Sequence, residues 1–180
     1  MVNKVMAVAA GLVSFAGASP IAVRDNTVTD LYWPVTEFQA SKPHLSAYVN
    51  YHFKIALPKP DSPVLECRLS QDAGSSGATS LPYVWPTAAP CKDAGGNVVE
   101  NMQWTFSQAA PDQATPAVSK DATFNVTYTD SEQQTVYSGT YVIPGSQIYV
   151  YLNDVANPFD NDVGYGGPQD FRFTDIQVAA

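Results

Sequence analysis

The clearest pattern in the chain runs from Ala47 to Leu57, AYVNYHFKIAL. Its odd positions are Ala47, Val49, Tyr51, Phe53, Ile55 and Leu57; its even ones are Tyr48, Asn50, His52, Lys54 and Ala56. Successive side chains of a strand point to opposite faces, so this period of two predicts a long strand that buries the odd set and wets the even set. After the proline-punctuated turn PKPDSP, the segment VLECRL alternates again, with Leu65, Cys67 and Leu69 on one side and Glu66 and Arg68 on the other. The pattern predicts a central strand answered by a shorter one that carries a cysteine.

The same period recurs along the chain. TVTDLYW and VTEF are rich in β-branched and aromatic residues, and Pro34 between them predicts a bend or a sheet edge. In VVENMQWTFS the inward set is Met102, Trp104 and Phe106; in ATFNVTYTD it is Phe124, Val126 and Tyr128. TVYSGTYVI and QIYVYLN are further strands, the second with Ile148, Val150 and Leu152 alternating with Tyr149 and Tyr151. The last segment, FRFTDIQV, changes phase: Phe171 and Phe173 are odd, Ile176 and Val178 even, which a bulge near Thr174 or Asp175 would reconcile. The segments 70–90 and 154–169 are loops. Beyond the first 18 residues no apolar period of 3.6 persists. The expectation is an all-β domain over residues 27–180, a single antiparallel β-barrel or sandwich, with a loose tail at 19–26.

The N-terminus adds a location. MVNK carries one lysine, the run VMAVAAGLVSFAGA is apolar, and Ala16-Gly17-Ala18 supplies small residues for cleavage, the layout of a secretory signal peptide over residues 1–18. The run is shorter than the ~20 residues a membrane-spanning helix needs. The expectation is a secreted, extracellular protein that does not enter a membrane.

Removing 18 of the 180 residues leaves 162, enough for a proper core. Lys4 leaves with the signal, so eight basic residues stand against seventeen acidic ones, a net charge of about −9 that repels nucleic acids and anionic membranes. Cys67 and Cys91 are the two cysteines of the chain. In an oxidising compartment they are expected to form one disulfide, two buried free thiols being the alternative.

Candidate chemistry is sparse. No G-x-S-x-G occurs, and Gly74-Ser75-Ser76-Gly77 has the wrong spacing for a nucleophile elbow. His44 follows a Lys-Pro turn and His52 lies on the outward face of the long strand; both are expected at the surface rather than as zinc ligands or bases. Asp154, Asp160, Asp162 and Asp170 fall among glycines, and oxygen ligands suit calcium. Yet the EF-hand pattern fails, since Phe171 stands where the bidentate glutamate belongs, so the expectation is a solvated acidic loop with no metal and no cofactor. Glu37, Glu66, Glu100 and Glu132 offer carboxylates for glycoside hydrolysis, but no spacing selects a pair. Asn125-Val126-Thr127 is an N-glycosylation sequon on the predicted wet face of its strand. Tyr48, Tyr83, Trp85, Tyr149 and Tyr151 are the aromatics available for a sugar, a small ligand or a partner protein.

The landmarks W-x-V-x-x-F at Trp33 to Phe38, Y-x-F-K-I at Tyr51 to Ile55, Cys67, the segment Trp85 to Cys91, W-T-F at Trp104 to Phe106 and the closing FRFTDIQV span most of the mature chain. In these the chain resembles the Alt a 1 (AA1-like) family of secreted ascomycete allergens and plant-defence elicitors. The resemblance implies a compact β-barrel without catalytic residues, effector-like or allergen-like, that binds extracellular host proteins or small apolar or phenolic ligands. Members of that family carry more cysteines, one of them near the N-terminus linking two subunits. Here no cysteine precedes Cys67, so a monomer or a non-covalent oligomer is expected. Two other classes stay open: an extracellular carbohydrate-binding module or glycosidase, and a structural cell-wall protein.

Overall fold

A computed structural model describes residues 31, 33–59, 61–72, 80, 81, 84, 90–109, 119–152 and 160–179. The expected signal peptide and tail, Tyr83, Trp85 and Asp154 lie outside them. Among the described residues, regular structure is strand apart from the 3-10 turn Gly145–Gln147 and the 3-10 residue Asp160. The strands are β1 (Trp33–Lys42), β2 (Tyr48–Ala56), β3 (Val64–Asp72), β4 (Cys91–Lys92), β5 (Val98–Val99) and β6 (Met102–Gln108), then β7 (Ala122–Asp130), β8 (Thr135–Ile143), β9 (Ile148–Tyr151), β10 (Asp162–Tyr165), β11 (Phe171–Phe173) and β12 (Ile176–Ala179). They form two antiparallel sheets. The larger runs β5-β4-β3-β2-β1-β10-β9, with β11 also on β1; the smaller runs β12-β8-β7-β6. This is the sandwich form of the all-β expectation; the two sheets do not close into a barrel.

The alternation read from β2 is the one observed. Val49, Tyr51, Phe53 and Ile55 are buried, and so are Trp104, Phe106, Phe124 and Val126 from the facing sheet. Burying each such side chain contributes about 1.5–3 kcal/mol. The rings interlock across the sandwich: Phe53 meets Trp104 at 5.1 Å and Phe124 at 5.0 Å, both edge to face. That arrangement aims a positive ring edge at a negative ring face. Phe124 also touches Phe38 at 5.3 Å and Phe173 at 5.6 Å, which makes it the hub of the aromatic core.

Two expectations are corrected and a third is narrowed: within the segment 154–169 expected as a loop, Asp162–Tyr165 forms β10, paired with β1 and β9. Of the two expectations for Pro34, the bend falls and the edge holds: it lies within β1, opposite Arg172 of β11. The β1–β2 register begins only at Val35, so the residue that lacks an N–H sits where β1 has a neighbour on one side. Nor is the phase change in FRFTDIQV a bulge. Thr174 and Asp175 are the crossing between sheets: β11 pairs with β1 of the larger sheet and β12 with β8 of the smaller. Phe173 and Ile176 therefore both face the core from opposite layers.

A bulge does occur, but in β1. The β1–β2 register shifts between Thr36 and Gln39, and the buried set changes from Trp33 and Val35 to Phe38 and Ala40. Glu37 adopts φ 56° there, a left-handed conformation that costs a non-glycine residue free energy. Two contacts offset the cost: its N–H donates to Asp170 Oδ1 at 3.1 Å, and its carboxylate accepts from Lys54 Nζ at 2.6 Å.

One ion pair ties the two layers. Lys59, in the β2–β3 connection, reaches Asp130 at the end of β7, and Asp130 Oδ1 also accepts the N–H of Glu132 at 3.1 Å. The lysine's hydrogen bond, followed by backbone N–H groups, holds the Asp130 carboxyl below the usual carboxylate range; the same bond raises the Lys59 ammonium.

The outer face of the smaller sheet forms four rows across the strands: Ser107–Thr123–Val142, Thr105–Asn125–Thr140, Gln103–Thr127–Ser138–Gln177 and Thr129–Val136–Ala179. None of these side chains is charged.

Candidate functional site

The larger sheet's outer face is different. Strand pairing sets Lys54 opposite Glu66 and Glu66 opposite Lys92, while the adjacent row, Phe53–Cys67–Cys91, points inward. One row therefore lines the surface with charge and the next pins the strands from beneath. Cys67 and Cys91 form the expected disulfide. Beside it, Lys54, Val64, Glu66, Lys92, Asp93 and Gly96 line an open groove of about 420 Å³.

Local turn chemistry shapes the groove's far wall. In DAGGN, Asp93 Oδ1 accepts the N–H groups of Gly95 and Asn97, each at 2.9 Å. Gly96 takes φ 82°, which it adopts without a Cβ penalty. The Asn97 side chain first, then its backbone N–H, hold the Asp93 carboxyl below its ordinary range.

Glu66 is likewise held low, chiefly by Arg68 and then by His52. Arg68 Nε donates at 2.9 Å and His52 Nε2 lies 3.0 Å from the same oxygen. His52 is thus half-buried and engaged with a carboxylate rather than a plain surface histidine. A carboxyl held ionised in this way is a poor general acid near neutral pH, where glycoside hydrolysis needs one shifted upward. Glu37 shares this outer face through Lys54, whereas Glu100 and Glu132 occupy turns. Among the described residues Lys92 forms no ion pair, so it presents a cation to whatever enters. Val64, 52% exposed, adds an apolar wall.

The other sequence candidates fall elsewhere. Tyr149 and Tyr151 stand on the edge strand β9 with ring centroids 5.3 Å apart. Tyr149 has a packing role: a Cβ on Gly164, its partner in β10, would lie 2.4 Å from the tyrosine hydroxyl, so its ring covers that glycine. Burial raises its phenol above the ordinary range. Tyr151 remains 62% exposed.

Asp160 and Asp162 border a residue that the sequence reading passed over. Lys42 is buried, its Nζ donates to the Asn161 carbonyl, and His44 Nδ1 lies 3.0 Å from the Asp160 carbonyl oxygen. Desolvation lowers the Lys42 ammonium, and Asp162 and then Asp160 oppose that shift. The acidic stretch thus has a cation of its own. Among the described residues no three potential ligands group as a metal site.

Asn125 is on the outer face as expected, but half-buried and laterally bonded: its Nδ2 donates to Thr105 Oγ1 at 3.2 Å, and its Oδ1 accepts from Thr140 at 2.8 Å. No family model, curated protein or solved structure matches the chain.

Proposed function

We propose that the chain is a secreted, non-enzymatic binding protein of the effector-like or allergen-like kind, and that its groove over the disulfide receives an extracellular host protein. The observation that supports this reading is the groove itself. Its floor is β3, cross-linked to β4 by Cys67–Cys91, so little chain entropy is lost when a partner docks. It offers at Lys92 a cation with no ion pair among the described residues, two carboxylates held ionised, and an apolar edge at Val64. Mixed polar and apolar contacts of this kind suit a protein loop.

The test is capture from plant apoplastic fluid by the purified mature protein, followed by binding of the identified partner to the Lys92→Glu variant. Reversing this charge should weaken binding about tenfold, the scale of one good interface contact, while stability stays within about 0.5 kcal/mol. Equal binding by both proteins removes the groove from the interface.

A second reading, a carbohydrate-binding module, is favoured by one feature: the paired rings of Tyr149 and Tyr151 on an exposed edge. Binding to cell-wall glycans that is lost on Tyr151→Ala and kept on Lys92→Glu would replace the first reading by this one.

A further inference from the structure

We infer that Asn125 carries an N-linked glycan, and that the charge-free outer face of the smaller sheet is the surface on which this glycan lies. The inference rests on the secretion reading for access to the glycosylation machinery, and otherwise on geometry.

Asn125 sits in the second of the four rows of that face, with its sequon partner Thr127 in the next row of the same strand. The acceptor is held without being used up. Nδ2 spends one of its two protons on Thr105, and Oδ1 takes the Thr140 hydroxyl, which leaves the second N–H position for a glycosidic bond. In the transfer, Asn125 Nδ2 bonds to the anomeric carbon of an oligosaccharide carried on a lipid diphosphate. The carbon–oxygen bond to phosphate breaks, the Nδ2 proton passes to the transferase's base, and the lipid diphosphate departs. No electrons change hands.

The surroundings point to a neutral, hydroxyl-rich occupant. A soluble surface usually carries roughly a quarter to a third charged residues, and this chain has seventeen acidic ones, yet the four paired rows are free of them, with exposed Asp121 and Asp175 just before the first residues of β7 and β12. Threonine, serine and glutamine both donate and accept, as sugar hydroxyls do. The rows contain no aromatic ring, so the face lacks the stacking platform that captures a free glycan from solution. A tethered glycan needs none, because its high effective concentration makes weak contacts sufficient.

The experiment secretes the full chain from a eukaryotic host in two forms, one with residues 1–18 and one with a heterologous leader in their place. Expected is a mass excess that peptide-N-glycosidase removes, with Asn125 then read as aspartate. Thr127→Ala should abolish the excess while sparing both hydrogen bonds of Asn125. NMR of the glycosylated protein should show contacts from sugar protons to the methyl groups of Thr105, Thr140 and Val142. If only the heterologous leader delivers glycosylated protein, the site stands and the secretion reading falls. Folded protein in the medium with Asn125 unmodified overturns the site, and a glycan without those contacts overturns its resting place. Unmodified protein that dimerises through this face assigns it to a second copy and likewise overturns the inference.

Discussion

The two outer faces of this sandwich share one core and are built from the same alternation, yet they differ in almost every surface property. The larger sheet exposes Lys54, Glu66, Arg68 and Lys92 around a groove. The smaller exposes uncharged rows of threonine, serine, asparagine and glutamine, with valine and alanine among them. The difference teaches that surface chemistry here is set row by row through strand register. A residue's own neighbours in sequence do not reveal it, because each row draws on strands far apart in the chain.

The largest break of the comparison should come from the part both faces share. Phe124→Ala empties the hub where Phe38, Phe53, Trp104 and Phe173 meet. It should cost about 3–5 kcal/mol in denaturant unfolding and loosen both faces together. Loss confined to one face would show that the sheets hold their order independently.

A smaller effect should separate the faces. Replacing both Cys67 and Cys91 by serine opens a loop of sequence separation 24, with an expected loss of about 3.5 kcal/mol on the chain-entropy account. Amide exchange should rise in β3 and β4 beneath the groove and stay unchanged in β7 and β8. Equal exchange in both sheets would mean that the cross-link serves the whole sandwich.

The smallest effect concerns the link between the layers. Asp130 has its carboxyl depressed by Lys59, so the stability it contributes is complete above the ordinary carboxylate value, about pH 4, and is lost as pH falls through its lower folded value. Thermal melts at decreasing pH should therefore show a shallower acid decline for Asp130→Asn than for the parent protein. Matching slopes would exclude this pair as a source of the acid sensitivity.

Much of the scaffold was legible because period two is a local property. The buried sets of β2, β6 and β7 follow from alternation alone, and the pairing of Cys67 with Cys91 from their being the two cysteines of the chain. The two phase changes show where this stops. VTEF and FRFTDIQV both pass from odd to even apolar positions, yet the first is a bulge at Glu37 and the second a crossing between sheets. What separates them is the partner: Asp170 and Lys54 hold the one, and β8 receives the other. Lys42 was missed for the same reason, since the carbonyl it reaches belongs to Asn161, 119 residues away. The groove was missed too, because its row of Lys54, Glu66 and Lys92 exists only once three strands are in register.

The crossing at Thr174 and Asp175 has a consequence for the order of assembly. Residues 171–179 add a strand to each sheet, β11 against the start of β1 and β12 against β8. A ribosome delivers that segment after all of its partners, so neither layer is complete while synthesis of residues 33–165 is under way. Pairings of such long sequence range place a fold among the slower ones, on the order of milliseconds to seconds. Both layers thus reach their full strand complement only once residues 171–179 are in place.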